Sequence, residues 1–193
     1  MPNSKKEEIR KITAPLSKET VLSLRAGEQV LLSGVIYTAR DAAHARFCAA
    51  LDEGRELPLD LRGQTIFYAG PTPAPAGKPI GSVGPTTSAR MDAYTPRILR
   101  YGVNALIGKG ERNETVREAL RETGAVYFTA LGGCAAYMAA CVNTCDVVAY
   151  EDLGTESVKR LTVTDLPLTV AADAWGGDAY AMSRQQYFEY LCK

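Results

Sequence analysis

Between Val103 and Tyr150 the chain switches repeatedly between strand and helix patterning, and this alternation restricts its architecture more than any other feature. "VNALIG" is an apolar run of strand length. "ETVREALRET" has helical spacing, with Asn113 placed to cap its start and Gly124 to close it. "AVYFTAL" reads as a strand, "GGCAAYMAACV" opens a helix of small residues, and "DVVAY" reads as a further strand. A βαβαβ run of this kind implies parallel strands, right-handed crossovers and at least one sheet face covered by helices. Ligand sites in such sheets gather at strand C-termini.

The flanking segments extend the pattern. "EQVLLSGVIYTAR" predicts a strand ending near Thr38, and "DAAHARFCAALDEG" a helix capped by Asp41 and stopped by Gly54, followed by a strand in "QTIFYAG". The proline-rich stretch Gly70–Pro79 can form neither a helix nor a central strand and is expected to be a loop. Thr95 and Pro96 predict an N-cap and first residue for a short helix ended by Gly102. The tail "VKRLTVTDLPLTVAADAWGGDAY" predicts two strands around Pro167 and a turn at Gly176-Gly177, an antiparallel addition, before a final helix in "SRQQYFEYLCK". The 193 residues suit a single domain spanning 1–193, with 1–25 as a candidate N-terminal arm.

Lys and Arg number 22 and Asp and Glu 22, so no broad basic field favours nucleic acid or an anionic membrane. Any anion site must be local. The N-terminus lacks a signal-peptide pattern and no apolar run is long enough to span a bilayer, which points to the cytoplasm. The cysteines Cys48, Cys134, Cys141, Cys145 and Cys192 lack C-x-x-C spacing and match no ferredoxin pattern. They are expected to be buried small apolar side chains rather than disulfide partners or metal ligands.

Three cations and a hydroxyl cluster fall in loops after predicted strands: Arg40 in "YTARDAAH", Thr86 and Arg90 in "GPTTSARMD", and Lys109 in "IGKGE". Taken singly, each has an ordinary surface or turn role. Together, on a mostly parallel sheet, they can converge on one edge and receive a dicarboxylate, with bidentate contacts from arginine and a point charge from lysine. "GVNALIGKGE" lacks the spacing of a phosphate-binding loop. His44 is the sole histidine and is expected to be a structural hydrogen-bonding group.

The segments "GVIYTARDAAH", "KPIGSVGPTTSARMDAYTP", "GVNALIGKGE", "LGGCAAYMAACV" and "VVAYEDLGTESVKRLTVTDLPLTVAADAWGGDAY" resemble the β subunit, or C-terminal domain, of class I iron–sulfur fumarate hydratases and L-tartrate dehydratases. The resemblance runs from about Gly34 to near the C-terminus. It implies an α/β fold, a swivelling β/β/α three-layer domain with a mixed sheet. It implies a hydro-lyase that hydrates fumarate reversibly to malate, or acts on tartrate or a related hydroxydiacid. A non-catalytic anion-binding module is the reading from another class.

Matched residue by residue, the resemblance assigns Arg40, Arg90 and Lys109 to the substrate carboxylates and Thr86 to the C3 proton as catalytic base. Thr87 and Ser88 remain neighbouring candidates for the base. The resemblance also implies a [4Fe-4S] cluster held by a separate α subunit, with no metal bound by this chain, and hence a hetero-oligomer.

Overall fold

The computed structural model describes residues 9–192. Its framework is a seven-stranded mixed sheet in the order β1-β2-β3-β4-β5-β7-β6, with β2 also paired to β7. β1 (Arg10–Ala14), β2 (Gln29–Thr38), β3 (Thr65–Phe67), β4 (Ala105–Gly108) and β5 (Val126–Thr129) run parallel as successive neighbours. β7 (Val158–Ala172) lies antiparallel to β5, to β2 and to β6 (Val142–Ala149). These pairings close β2, β3, β4, β5 and β7 into a ring, which removes the open edges those strands would otherwise expose.

Ring closure depends on the length and bend of β7. Its first half follows β2 from Thr38 to Gly34, and its second half follows Leu32 to Gln29 while also pairing with β5. Two strands separated at Pro167 were expected; a single strand of 15 residues is found, with Pro167 opposite Leu31. The break in register comes slightly earlier, at Asp165, whose φ of 49° opens a bulge tied down by its N–H donating to Ser33 Oγ at 3.0 Å. A bulge sharpens strand bending, so this residue rather than the proline turns the strand.

Successive strand residues face opposite sides of the sheet and sort into two cores. Ile36, Phe67, Ile107, Phe128, Leu161 and Val170 belong to one core, enclosed by the ring. Ile66, Leu106 and Tyr127 alternate with them and belong to the other. That second core lies under α2 (Asp41–Asp52), α3 (Thr95–Tyr101) and α4 (Glu114–Thr123), which contribute Phe47, Ile98 and Leu120.

The α4 boundaries match expectation: Asn113 accepts from the Val116 N–H at 2.9 Å and Gly124 closes the helix in the left-handed region. Asp41 and Thr95 do not cap. They are the first residues of α2 and α3, preceded by Arg40 and Tyr94 in the cap positions. Asp41 is drawn off by Arg90, and a distant carboxylate, Glu156, accepts the Ala42 N–H at 3.1 Å in its place. The Thr95 hydroxyl donates to Met91 C=O at 2.8 Å.

The expected parallel run also breaks after β5. α5 (Ala135–Ala140) has only six residues, and the strand after it, β6, pairs antiparallel with β7, which takes the place beside β5. Residues 10–24, within the segment read as a candidate arm, are built into the fold. β1 pairs with β2, α1 (Lys18–Ser23) follows, and Ile12, Leu16, Val21 and Leu24 are buried in the ring core. α6 (Ala179–Leu191) ends the described chain, capped by Asp178, which accepts the Tyr180 and Ala181 N–H groups.

Candidate active site at the ends of the parallel strands

Because β2, β3 and β4 are parallel neighbours, the segments leaving their C-termini emerge along one edge. Arg40 follows β2. Lys109 follows β4. Thr86 is brought to the end of β3 by the returning loop, its N–H donating to Tyr68 C=O at 2.7 Å. Thr87 forms a parallel bridge with Lys109, and Ser88 N–H donates to Lys109 C=O at 3.0 Å. Arg90, in the 3₁₀ turn Ser88–Met91, donates through Nε to Asp41 at 2.9 Å, next to Arg40. The four residues singled out in the sequence thus lie along neighbouring strand ends.

Beneath them lies a buried polar network that the sequence did not reveal. Ser88 is fully buried, and its Oγ accepts the Lys109 N–H at 3.0 Å and lies 2.9 Å from the Tyr127 hydroxyl, which donates to Gly110 C=O at 2.8 Å. A Cβ on Gly108 would fall 1.9 Å from Ser88 Oγ, so only glycine admits this contact. Burial pushes the Tyr127 phenol well above its ordinary pKa, so it acts as a neutral hydrogen-bonding group. Ser88 is therefore committed to holding the two loops together, whereas Thr87 is exposed.

Arg112 anchors the network, with a side chain only 1% exposed. Its Nε donates to Asp92 at 2.7 Å and its Nη2 to Thr95 Oγ1 at 2.8 Å, and its guanidinium lies over Tyr68 and Tyr127 at 5.3 and 5.0 Å. Burial disfavours the charge, but Tyr68, Asp92 and Tyr127 outweigh it and raise the pKa. The other Asp92 oxygen accepts the Asn113 N–H at 3.0 Å, tying the start of α4 to the turn that carries Arg90. Asp92 and Arg112 carry no shared motif or helical spacing, so no sequence signal pairs them. Tyr180 of α6 adds a further tie, its hydroxyl accepting the Gly110 N–H at 3.1 Å.

His44 is buried behind Arg40, with Nδ1 2.9 Å from Arg40 C=O. A carbonyl only accepts, so Nδ1 carries the proton and Nε2 is bare. Burial lowers its pKa from 6.5 to about 4, the Arg40 hydrogen bond opposing in part. The unfolded chain thus binds more protons than the folded one between these values, and stability falls as pH drops from 6.5 towards 4. Urea titrations across that window are expected to show the decline, with His44→Asn flattening it; an equal slope in the variant would assign the decline to other groups.

The cysteines differ from expectation. Cys48, Cys134, Cys141 and Cys145 are half-buried, Cys192 is exposed, and all are free thiols. Each lies at a helix end, on an outer helix turn or on the edge strand β6, where packing is one-sided. Among the described residues no three His, Cys, Asp or Glu side chains converge as a metal site, and no helix is long and apolar enough to cross a membrane. A hollow of about 420 Å³ lies beside the proline-rich loop, lined by residues including Pro71, Ile80, Cys145 and Lys159, and is not lined by Arg40, Thr86, Arg90 or Lys109.

Fold and edge together define a mixed α/β domain in which Arg40, Thr86, Arg90 and Lys109 lie on segments at the C-terminal ends of neighbouring parallel strands. Residues 1–183 match the family described as Fumarase C-terminus, and the chain belongs to that family. It is 36% identical over 174 residues, 89% of its length, to the anaerobic class I fumarate hydratase of Escherichia coli. It is 35% identical over 178 residues to fumarate hydratase 2 of Leishmania major. The chain spans about a third of these relatives, 31% and 30%. A protein of Methanocaldococcus jannaschii, provisionally named L(+)-tartrate dehydratase subunit beta, is 36% identical over 182 residues, covering 93% of that protein.

Proposed function

We propose that this chain is the β subunit of a cytoplasmic two-subunit [4Fe-4S] hydro-lyase, interconverting fumarate and malate or acting on tartrate or a related hydroxydiacid. Arg40, Arg90 and Lys109 bind the carboxylates and Thr86 exchanges the C3 proton. The observation that carries this reading is the gathering of these residues at the ends of β2, β3 and β4 in a chain of the fumarase family. The relative that matches nearly end to end bears a β-subunit name, which favours the two-subunit form. The helices over one sheet face and the separate ring core support the three-layer swivelling architecture.

The cluster belongs to the partner in this reading. Cys134 and Cys141 stand at opposite ends of α5 and Cys145 lies in β6, so the residues of this chain do not fit it. When bound in the partner, the cluster supplies the Lewis acid for the C2 oxygen. This chain's residues orient the diacid and handle the proton at C3. A threonine hydroxyl is a weak acid, and the Lys109 and arginine cations favour the alkoxide form of Thr86. Docking of the partner over the edge removes water and strengthens that effect.

Co-production with a cluster-bearing partner, followed by assay with malate, fumarate and both tartrate enantiomers, tests the reading. Activity of the complex towards at least one of these, absent from the isolated chain, is expected. Full activity of the isolated metal-free chain, or an inactive complex that still binds dicarboxylate, would overturn it, the latter in favour of an anion-binding module. Arg90 is 51% exposed and is held only through Nε among the described residues, which leaves its terminal nitrogens for a carboxylate. Arg90→Lys is expected to raise KM about ten-fold with little change in kcat, because a point charge replaces a fork. An unchanged KM would remove Arg90 from the site.

A further inference from the structure

We propose that Glu156 is a positioning residue that sets the donor face of Arg40, and that Gly70 provides the slot in which that side chain lies. The inference rests on the proposed function, which makes Arg40 a carboxylate ligand. Unlike Arg90, Arg40 is only 21% exposed in its side chain and is held along its length. Its carbonyl accepts from both the backbone N–H and Nδ1 of His44, each at 2.9 Å, so the root of the side chain is fixed.

Two neighbours, Glu156 and Gly70, border the guanidinium. Glu156 Oε1 lies 3.4 Å from Nη2, and Oε2 of the same carboxylate accepts the Ala42 N–H at 3.1 Å. One carboxylate therefore grips both the start of α2 and the arginine preceding it. A Cβ on Gly70 would meet Arg40 Nη1 at 2.8 Å, Arg40 Cδ at 3.0 Å and the Thr155 methyl at 3.1 Å, so glycine leaves room for the guanidinium beside the turn that carries Glu156. Arg40 Nε is buried with no hydrogen-bond partner among the described residues. A guanidinium already held in one orientation is prepared for an incoming anion at its accessible nitrogens, because its rotamer entropy is already lost.

Glu156 is itself held in place. It ends the 3₁₀ segment Glu151–Glu156, and Lys159 Nζ donates to Gly154 C=O at 2.9 Å and Ser157 Oγ at 2.6 Å, fixing the backbone on either side. Burial lowers the Lys159 pKa, while its Nζ hydrogens are donated to these acceptors. The orientation of Arg40 is thus set by a turn far along the chain.

The test is a double-mutant cycle in the assembled hydro-lyase, with KM, kcat and thermal midpoint measured for Glu156→Gln, Arg40→Ala and the pair. Glu156→Gln keeps an acceptor for Ala42 while losing the charge. It is expected to raise KM for the dicarboxylate about ten-fold, leave kcat within about three-fold, and add less than about two-fold to KM when Arg40 is already alanine. Gly70→Ala crowds the same guanidinium at Nη1 and Cδ and is expected to show the same dependence on Arg40, so a poorly folding Glu156 variant does not end the test. Wild-type KM in both single variants, or equal KM increases with and without Arg40, would overturn the proposal. An unchanged KM in Arg40→Ala would instead sink the carboxylate-binding role of Arg40, and the positioning role with it.

Discussion

Thr86→Ala is expected to lower kcat of the assembled enzyme by about 10²–10⁴-fold, the usual worth of a positioned acid or base, while KM changes by less than about three-fold. Its N–H, which alanine retains, makes the 2.7 Å bond to Tyr68 C=O that sets the loop. The substitution therefore removes a hydroxyl without releasing the backbone. Thr86→Ser, which keeps the hydroxyl, is expected to recover most of the loss. Exchange of the C3 proton of malate with deuterated solvent gives an independent readout and should fall in parallel with kcat in the alanine variant. Retained kcat and retained exchange in Thr86→Ala would move the base elsewhere, to Thr87 first, because the hydroxyl of Ser88 is already engaged beneath the loop.

Asp92→Ala should produce the largest loss of stability, about 3–5 kcal/mol, the range for breaking a buried ion pair from one side. Arg112 would keep its charge in a site where its side chain is 1% exposed, without its carboxylate partner at 2.7 Å. The Asn113 N–H at the start of α4 would lose its acceptor as well. Urea unfolding gives the measurement. The double variant Asp92→Ala/Arg112→Met is expected to be more stable than Asp92→Ala alone, because no uncompensated charge remains buried. A loss below about 1 kcal/mol, or a double variant less stable than Asp92→Ala, would show that the pair does not hold the edge together.

Local chemistry made much of this architecture legible. Asn113 and Gly124 bracket α4 because a cap side chain and a left-handed terminus are satisfied within a few residues. The β2 strand ends at Thr38 as its apolar run predicts, and the proline-rich loop stays free of regular structure. Expectations failed where a remote partner intervened. Asp41 resembles a cap in sequence but is taken by Arg90, and Glu156 caps in its stead. β6 follows a small-residue helix as in a crossover unit, yet runs antiparallel on β7, because the longer strand occupies the position beside β5.

The candidate site divides along the same line. Arg40, Thr86, Arg90 and Lys109 could be proposed because each follows a strand-like segment or lies in a hydroxyl-rich loop, and because the surrounding motifs resemble a known family. Nothing in the spacing pointed to Glu156, Asp92 or Arg112, whose partners lie on other elements.

The amino-acid order alone settled the bounds of α4, the end of β2 and the irregular proline-rich loop, since backbone sterics and caps act over a few residues. Only the folded chain decided that β7 bends at Asp165 to close a ring and that a buried ion pair underlies the cationic edge. The reason is physical: desolvated charges and strand neighbours depend on which distant surfaces meet, and no local pattern encodes that meeting.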